Sequence, residues 1–151
     1  MTAIYAAAPY QKFVDSLAQK KIDIDSDTLK AMLLSAYTPS ASGHQYVSDV
    51  KAAGTEASGT GYTAGGVTLT SVTWVLTSGV WRLKATIPAW NATGGSLAAK
   101  YVVFYDATPG TDSTNPVICY WDLANNTTVT ATNDNFTLTQ DSTDGIVKIT
   151  T

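Results

Sequence analysis

From Thr28 onward the apolar residues of this 151-residue chain fall in short runs of period two, and Gly, Pro, Asn and Asp punctuate them at short intervals. A period of two puts every other side chain on one face of an extended backbone, so the pattern demands strands. In residues 80–87, Trp81, Leu83, Ala85 and Ile87 share one face while Arg82, Lys84 and Thr86 share the other, as in a strand buried on one side. Residues 67–76 and 80–87 are separated by Thr77-Ser78-Gly79, which predicts a hairpin. Residues 28–36 and 97–105 read as interior strands, the second apolar on both faces. Residues 117–123 predict another strand, with Cys119 and Trp121 on one face; a turn at Asn125-Asn126 and a short strand at Val129 follow. Residues 136–139 and 146–150 predict a closing hairpin around Asp144-Gly145, because Gly accepts positive φ. About eight strands with such turns predict a mostly β, single β-sandwich-like or barrel-like domain. Its expected core contains Leu33, Leu69, Trp81, Leu83, Tyr101, Val103, Cys119 and Trp121.

The N-terminal part differs. Tyr10, Phe13, Val14 and Leu17 recur at helical spacing behind Pro9, and a proline is tolerated at a first helical position. One short amphipathic helix over residues 9–19 is predicted, and Ser42 with Gln45 predicts a second over 44–50 by a capping box. Residues 1–8 form an arm ahead of the single domain 9–151. The arm carries Ile4 and Tyr5, apolar residues that a free tail gains little from keeping, so both are candidate assembly contacts.

Composition supports the β reading and narrows function. Eleven of the twelve acids are Asp and only Glu56 is Glu; Asp, Thr, Ser and Gly favour strands, turns and caps over helix interiors. The nine basic residues are scattered and net charge is −3, which argues against nucleic acid, whose phosphates require clustered cations. No apolar run approaches the length that spans a membrane, and no basic leader precedes an apolar segment. Synthesis in a cytoplasm is expected.

Candidate chemistry is sparse. Asp23, Asp25 and Asp27 alternate as at the start of a calcium loop, but loop positions six and twelve hold Thr28 and Leu34 instead of Gly and Glu. The expected role is an acidic face on an edge segment that discourages edge pairing. His44 is the one histidine and Cys119 the one cysteine, too few for a typical zinc site, and no nucleophile elbow is present. No metal, cofactor or catalytic residue is expected. Trp74, Trp81 and Trp121 lie in strand patterns and are expected to pack, whereas Trp90, after Pro88 at a strand end, is the expected exposed aromatic. A clustered, exposed Trp pair would favour a carbohydrate-binding module, and buried Trp would favour assembly.

The strongest local signature is the run from Ser58 to Leu69, with Gly59, Gly61, Gly65 and Gly66 around Tyr62. Four glycines let the backbone turn and pack closely, and Tyr62 is expected to anchor the loop. A phosphate loop would need a G-K-[ST] sequence and a following helix, and neither is present.

The order of features resembles a family of small virion proteins of tailed bacteriophages. The resemblance lies in the acidic stretch at 22–27, the L-x-x-x-Y-T-P stretch at 34–39, the His-containing stretch 44–50, the Gly-Tyr-Gly-Gly run at 58–69 and the Tyr-rich strand at 101–106. It covers roughly residues 9–124. It implies a non-enzymatic structural protein of the particle, a capsid decoration or head-fibre protein, with a tail or connector component as the alternative. The implied partners are other copies of the chain, a trimer suiting a threefold capsid site, and the major capsid protein or another virion protein.

Overall fold

The computed structural model describes residues 6–150. Its elements, in chain order, are β1 (Ala6–Pro9), α1 (Gln11–Ala18), β2 (Leu29–Tyr37), α2 (Val47–Ala52), β3 (Gly54–Glu56), β4 (Val67–Thr68), β5 (Thr70–Thr77), β6 (Val80–Thr86), β7 (Trp90–Asn91), β8 (Ser96–Ala99), β9 (Tyr101–Asp106), β10 (Val117–Asp122), β11 (Val129–Thr132), β12 (Asn135–Phe136) and β13 (Val147–Thr150). The fold is mostly β, with several antiparallel sheets and two helices, consistent with a β-sandwich-like domain. The period-two runs are realised as more strands than the eight expected, because several runs break into pieces of two to four residues.

One sheet, in the order β1-β10-β9-β2-β3 with β4 also on β2, forms the spine. A three-stranded sheet, β13-β6-β5, and two ribbons, β11-β8 and β12-β7, supply the facing layer. Between them lies the larger core, where Leu33, Phe104, Cys119 and Trp121 of the spine meet Leu83, Trp90, Leu97, Phe136 and Val147. A second cluster, with Met32, Leu34, Val103 and Tyr105, fills the other face of the spine, where Val47 and Val50 of α2 cover it. The spine is therefore buried on both faces, which explains the unbroken apolarity of β9, all six of whose residues are buried.

Several boundaries differ from expectation, each for a local reason. Pro9 ends β1 and does not start the helix; Tyr10 is the N-cap, and its side chain is buried in the second cluster. Residues 6–8 thus belong to the domain's own sheet, registered on β10 from Ala6 opposite Asp122. On α1, Phe13 is buried but Val14 is 49% exposed. The second helix begins at Val47, not at His44, because Asp49 Oδ2 accepts the N–H groups of both Gln45 and Tyr46 at 2.9 Å, a carboxylate reaching back over the first turn. Residues 22–27 form a turn in place of an edge strand. Asp23 Oδ1 accepts the Asp25 N–H at 3.1 Å and Asp27 Oδ2 accepts the Asp23 N–H at 2.6 Å, the usual competition of Asp with regular structure.

The run 97–105 splits at Lys100. Residues before it pair with β11 and those after it enter the spine, while the Lys100 N–H still bonds Leu34 O at 2.8 Å. The closing hairpin does not form. Gly145 does turn the chain, at φ 74°, but β13 pairs with β6 and β12 with β7. Phe136 is drawn to Trp90, edge to face at 6.0 Å, and burial of two large rings outweighs a local turn preference.

Candidate functional site

The β5–β6 hairpin closes through Ser78 and Gly79, at φ 52° and 75°, with Thr77 paired to Val80. Both central residues at positive φ make this a type I′ turn, whose twist suits a hairpin. Across the three strands, Val147, Leu83 and Trp74 form one row and Ile149, Trp81 and Leu76 the next. The first row packs on the core through Val147, Leu83 and Trp74, while in the second only Ile149 reaches it and Trp81 and Leu76 lie beyond, as an overhang. Ile149 and Trp81 are half-buried and Leu76 is 49% exposed. Trp81, expected in the core, lies at this overhang because the sheet extends past the layer beneath it. Its ring stacks on that of Trp74, 5.4 Å apart and tilted by 9°, and Phe13 meets Trp74 edge-on at 6.0 Å.

The opposite face of the hairpin carries Val75, also 49% exposed. Val75 pairs with Arg82, whose guanidinium lies 3.6 Å from Asp144 and also donates to the Thr77 carbonyl at 3.1 Å. Among the described residues β5 pairs along one edge only, with β6, so its other edge is open. No charged residue occurs from Ala57 to Trp81. Beside this surface a cleft of about 470 Å³ runs between the hairpin and the 22–25 turn, with Trp74, Leu17 and Ile24 on its apolar side and Lys20, Asp23 and Asp25 on its polar side.

The glycine-rich loop is a packed element with its own polar anchor. Glu56 Oε1 accepts the Tyr62 hydroxyl at 2.8 Å and the Gly65 N–H. Tyr62 Oη also accepts the Leu33 N–H at 3.1 Å, on the central strand β2, and its ring stacks on Trp90. The Tyr105 hydroxyl donates to Gly65 O at 2.8 Å; burial, then the nearby Glu56 carboxylate, pushes that phenol up to about 12. Burial and the same carboxylate hold the Tyr62 phenol well above its ordinary value. A side chain at Gly61 would place Cβ 1.9 Å from Asn91 O, and one at Gly66 would place it 1.8 Å from Ala31 O, both at φ 77°. Gly59 bridges to Leu97 in the same way of close approach, with Ser96 O 2.6 Å from a would-be Cβ. Glu56 was missed in the sequence; its only signal was that it is the sole Glu, just ahead of the loop.

The remaining candidates are engaged in structure. His44 Nδ1 lies 2.7 Å from the Tyr37 hydroxyl, which in turn meets the Tyr10 hydroxyl at 2.5 Å. Burial raises both phenols above their ordinary value, so the two hydroxyls stay protonated. Cys119 is fully buried and burial pushes its thiol up, away from the reactive thiolate. Trp90, expected to be exposed, is 1% exposed, because it closes the core between Tyr62 and Phe136. Ile4 and Tyr5 lie outside the described residues. Among the described residues no group of three or more His, Cys, Asp or Glu is placed to hold a metal ion, and no helix is long and apolar enough to cross a membrane.

A β-rich domain in which strand β5, uncharged and partly apolar, is unpaired along one edge among the described residues is thus what fold and surface define. Comparison of the chain with protein-family models, curated proteins and solved structures finds no match.

Proposed function

We propose that this chain is a non-enzymatic structural protein of a tailed-bacteriophage virion, a capsid decoration or head-fibre protein that works by binding copies of itself and another virion protein. The observation that carries the assembly half of the reading is the β5–β6 surface. Leu76 and Val75 stand half-exposed on opposite faces of an open edge strand, inside a charge-free run of 25 residues counted from Ala57 through Trp81. Isolated exposed apolar residues are ordinary, but apolar side chains exposed on both faces of an uncharged, unpaired strand mark an interaction site. The virion half rests on the resemblance over residues 9–124.

Two measurements test it. Mass spectrometry of purified particles should find the chain in stoichiometric amount. Particles assembled without it should take up the added protein; particles that neither contain nor bind it would overturn the reading.

A second reading is favoured by one feature, the Trp74 ring at the cleft beside Asp23 and Asp25. An aromatic ring with flanking carboxylates is the composition of a site for a sugar, which stacks on the ring and donates its hydroxyls. Trp74→Ala separates the two. It abolishes retention on polysaccharide if the cleft binds sugar, whereas virion attachment that needs no glycan leaves the sugar reading without support.

A further inference from the structure

We infer that the open edge of β5 is the docking site for a second copy of this chain, through antiparallel β5–β5 pairing about a twofold axis. The inference rests on the proposed role as a self-assembling virion component and names the partner of that surface.

The geometry of the hairpin sets the pairing. Thr77 and Val80 flank a two-residue turn, so they exchange backbone hydrogen bonds, and the alternation along an antiparallel ladder then points Thr73 and Val75 toward β6 and Trp74 and Leu76 outward. Outward groups must meet outward groups. Paired residue numbers therefore sum to an even value, and like faces of the two sheets join. Pairing Trp74 with the partner's Trp74 would bring Thr77 opposite the partner's Ser71, which sits in a bulge at φ 51°. The next register avoids the bulge. It sets Leu76 opposite the partner's Trp74 and Val75 opposite the partner's Val75. The two large apolar side chains exposed on β5, Leu76 and Val75, are both covered, one on each face of a six-stranded sheet.

Charge selects the occupant. Natural edges are blocked by Lys, Pro or an inward charge, and β5 has none of these. On a chain of net charge −3, a strand free of charge is one that a second copy can lie against without placing like charges opposite. A twofold interface needs a self-complementary strip, and Thr73-Trp74-Val75-Leu76-Thr77 read against itself in this register is one.

The test uses the full chain in sedimentation equilibrium over a range of concentration. The expected mass is twice 15.9 kDa. Val75→Lys and Val75→Glu each put like charges opposite across the axis and should weaken association by about tenfold or more. An equimolar mixture of the two variants should restore it. Val75 is exposed on one hairpin face, so near-ultraviolet circular dichroism should show both variants folded. Independently of any variant, hydrogen exchange of the Trp74 and Leu76 amides should slow as wild-type concentration rises. A wild-type monomer at several hundred micromolar, a trimer mass, undiminished pairing of Val75→Lys, or freely exchanging Trp74 and Leu76 amides would each overturn the inference. A monomer that is found in particles overturns the pairing alone, while a dimer absent from every particle overturns the virion role alone.

Discussion

Gly66→Ala should be among the most damaging single-methyl additions in this chain. Gly66 sits at φ 77°, and a Cβ there would lie 1.8 Å from Ala31 O, 2.6 Å from Ala31 C and 2.8 Å from Met32 Cα. All three atoms belong to the backbone of the central strand β2, so no side chain can swing aside. The left-handed conformation costs an alanine about 1–2 kcal/mol. Relieving the overlap means moving the segment by more than an ångström, which breaks the short β2–β4 ladder at Lys30–Thr68 and Ala31–Val67, at about 1 kcal/mol for each hydrogen bond lost. The total is about 3–5 kcal/mol. Gly110 is the control: its φ is 92° and nothing lies within 4 Å of a would-be Cβ, so Gly110→Ala should cost only the conformational part, about 1–2 kcal/mol. The gain from a stiffer unfolded chain is common to both and cancels in the comparison. Urea denaturation at equal m measures the difference. With m about 2 kcal/mol/M, Gly66→Ala should lower the midpoint by about 1.5–2.5 M and Gly110→Ala by less than about 1 M. Equal midpoints within about 0.3 M would refute the argument that backbone contact, and not φ alone, fixes glycine at 66.

Three further outcomes are expected. Trp121 is fully buried and its indole N–H donates to Ile146 O at 2.8 Å, so Trp121→Ala should cost about 3–5 kcal/mol; half-buried Trp81 should cost about 1–2 kcal/mol, and equal losses in chemical denaturation would contradict the overhang. Burial, with lesser repulsion from Asp27, pushes the Asp106 carboxyl up to about 6. Between its unfolded value near 4 and about 6 the native state holds a proton that the unfolded chain releases, so stability should fall by about 3 kcal/mol as pH rises through that window and stay level above it. Asp106→Asn keeps an acceptor for the Thr108 N–H, 2.8 Å away in the wild type, and should flatten that slope and raise stability at pH 7 in denaturation curves run across the range. Cys119 should resist a thiol reagent in the native protein and react at once in denaturant, since its thiol is buried and held protonated; fast native labelling would show that β10 opens.

What the sequence made legible was whatever depends on one strand at a time. The alternation in 80–87 placed Leu83 and Ala85 inward because the pleat alone decides that, and continuous apolarity marked β2 and β9 as interior because both faces of the spine are covered. What it hid depends on which strand meets which. Phe136 reads as half of a local hairpin, yet its partner is Trp90, 46 residues away by number, and the same contact turns Trp90 from an exposed ring into a core one. Lys100 gave no turn signal, and the strand bends there only because Leu34 and Leu123 hold its backbone from either side. The candidate surface belongs to the hidden class for the same reason. Residues 67–76 and 80–87 read as a hairpin with a core face, and that face is real at Leu83 and Ala85. Nothing in the alternation says where the layer beneath it stops. It stops before Trp81 and Leu76, so a pattern written for burial continues into solvent. In a monomer that continuation exposes apolar surface on an edge strand without a charge to protect it. A second sheet laid against β5 extends the layer, and it makes the burial pattern of residues 72–76 consistent along its whole length.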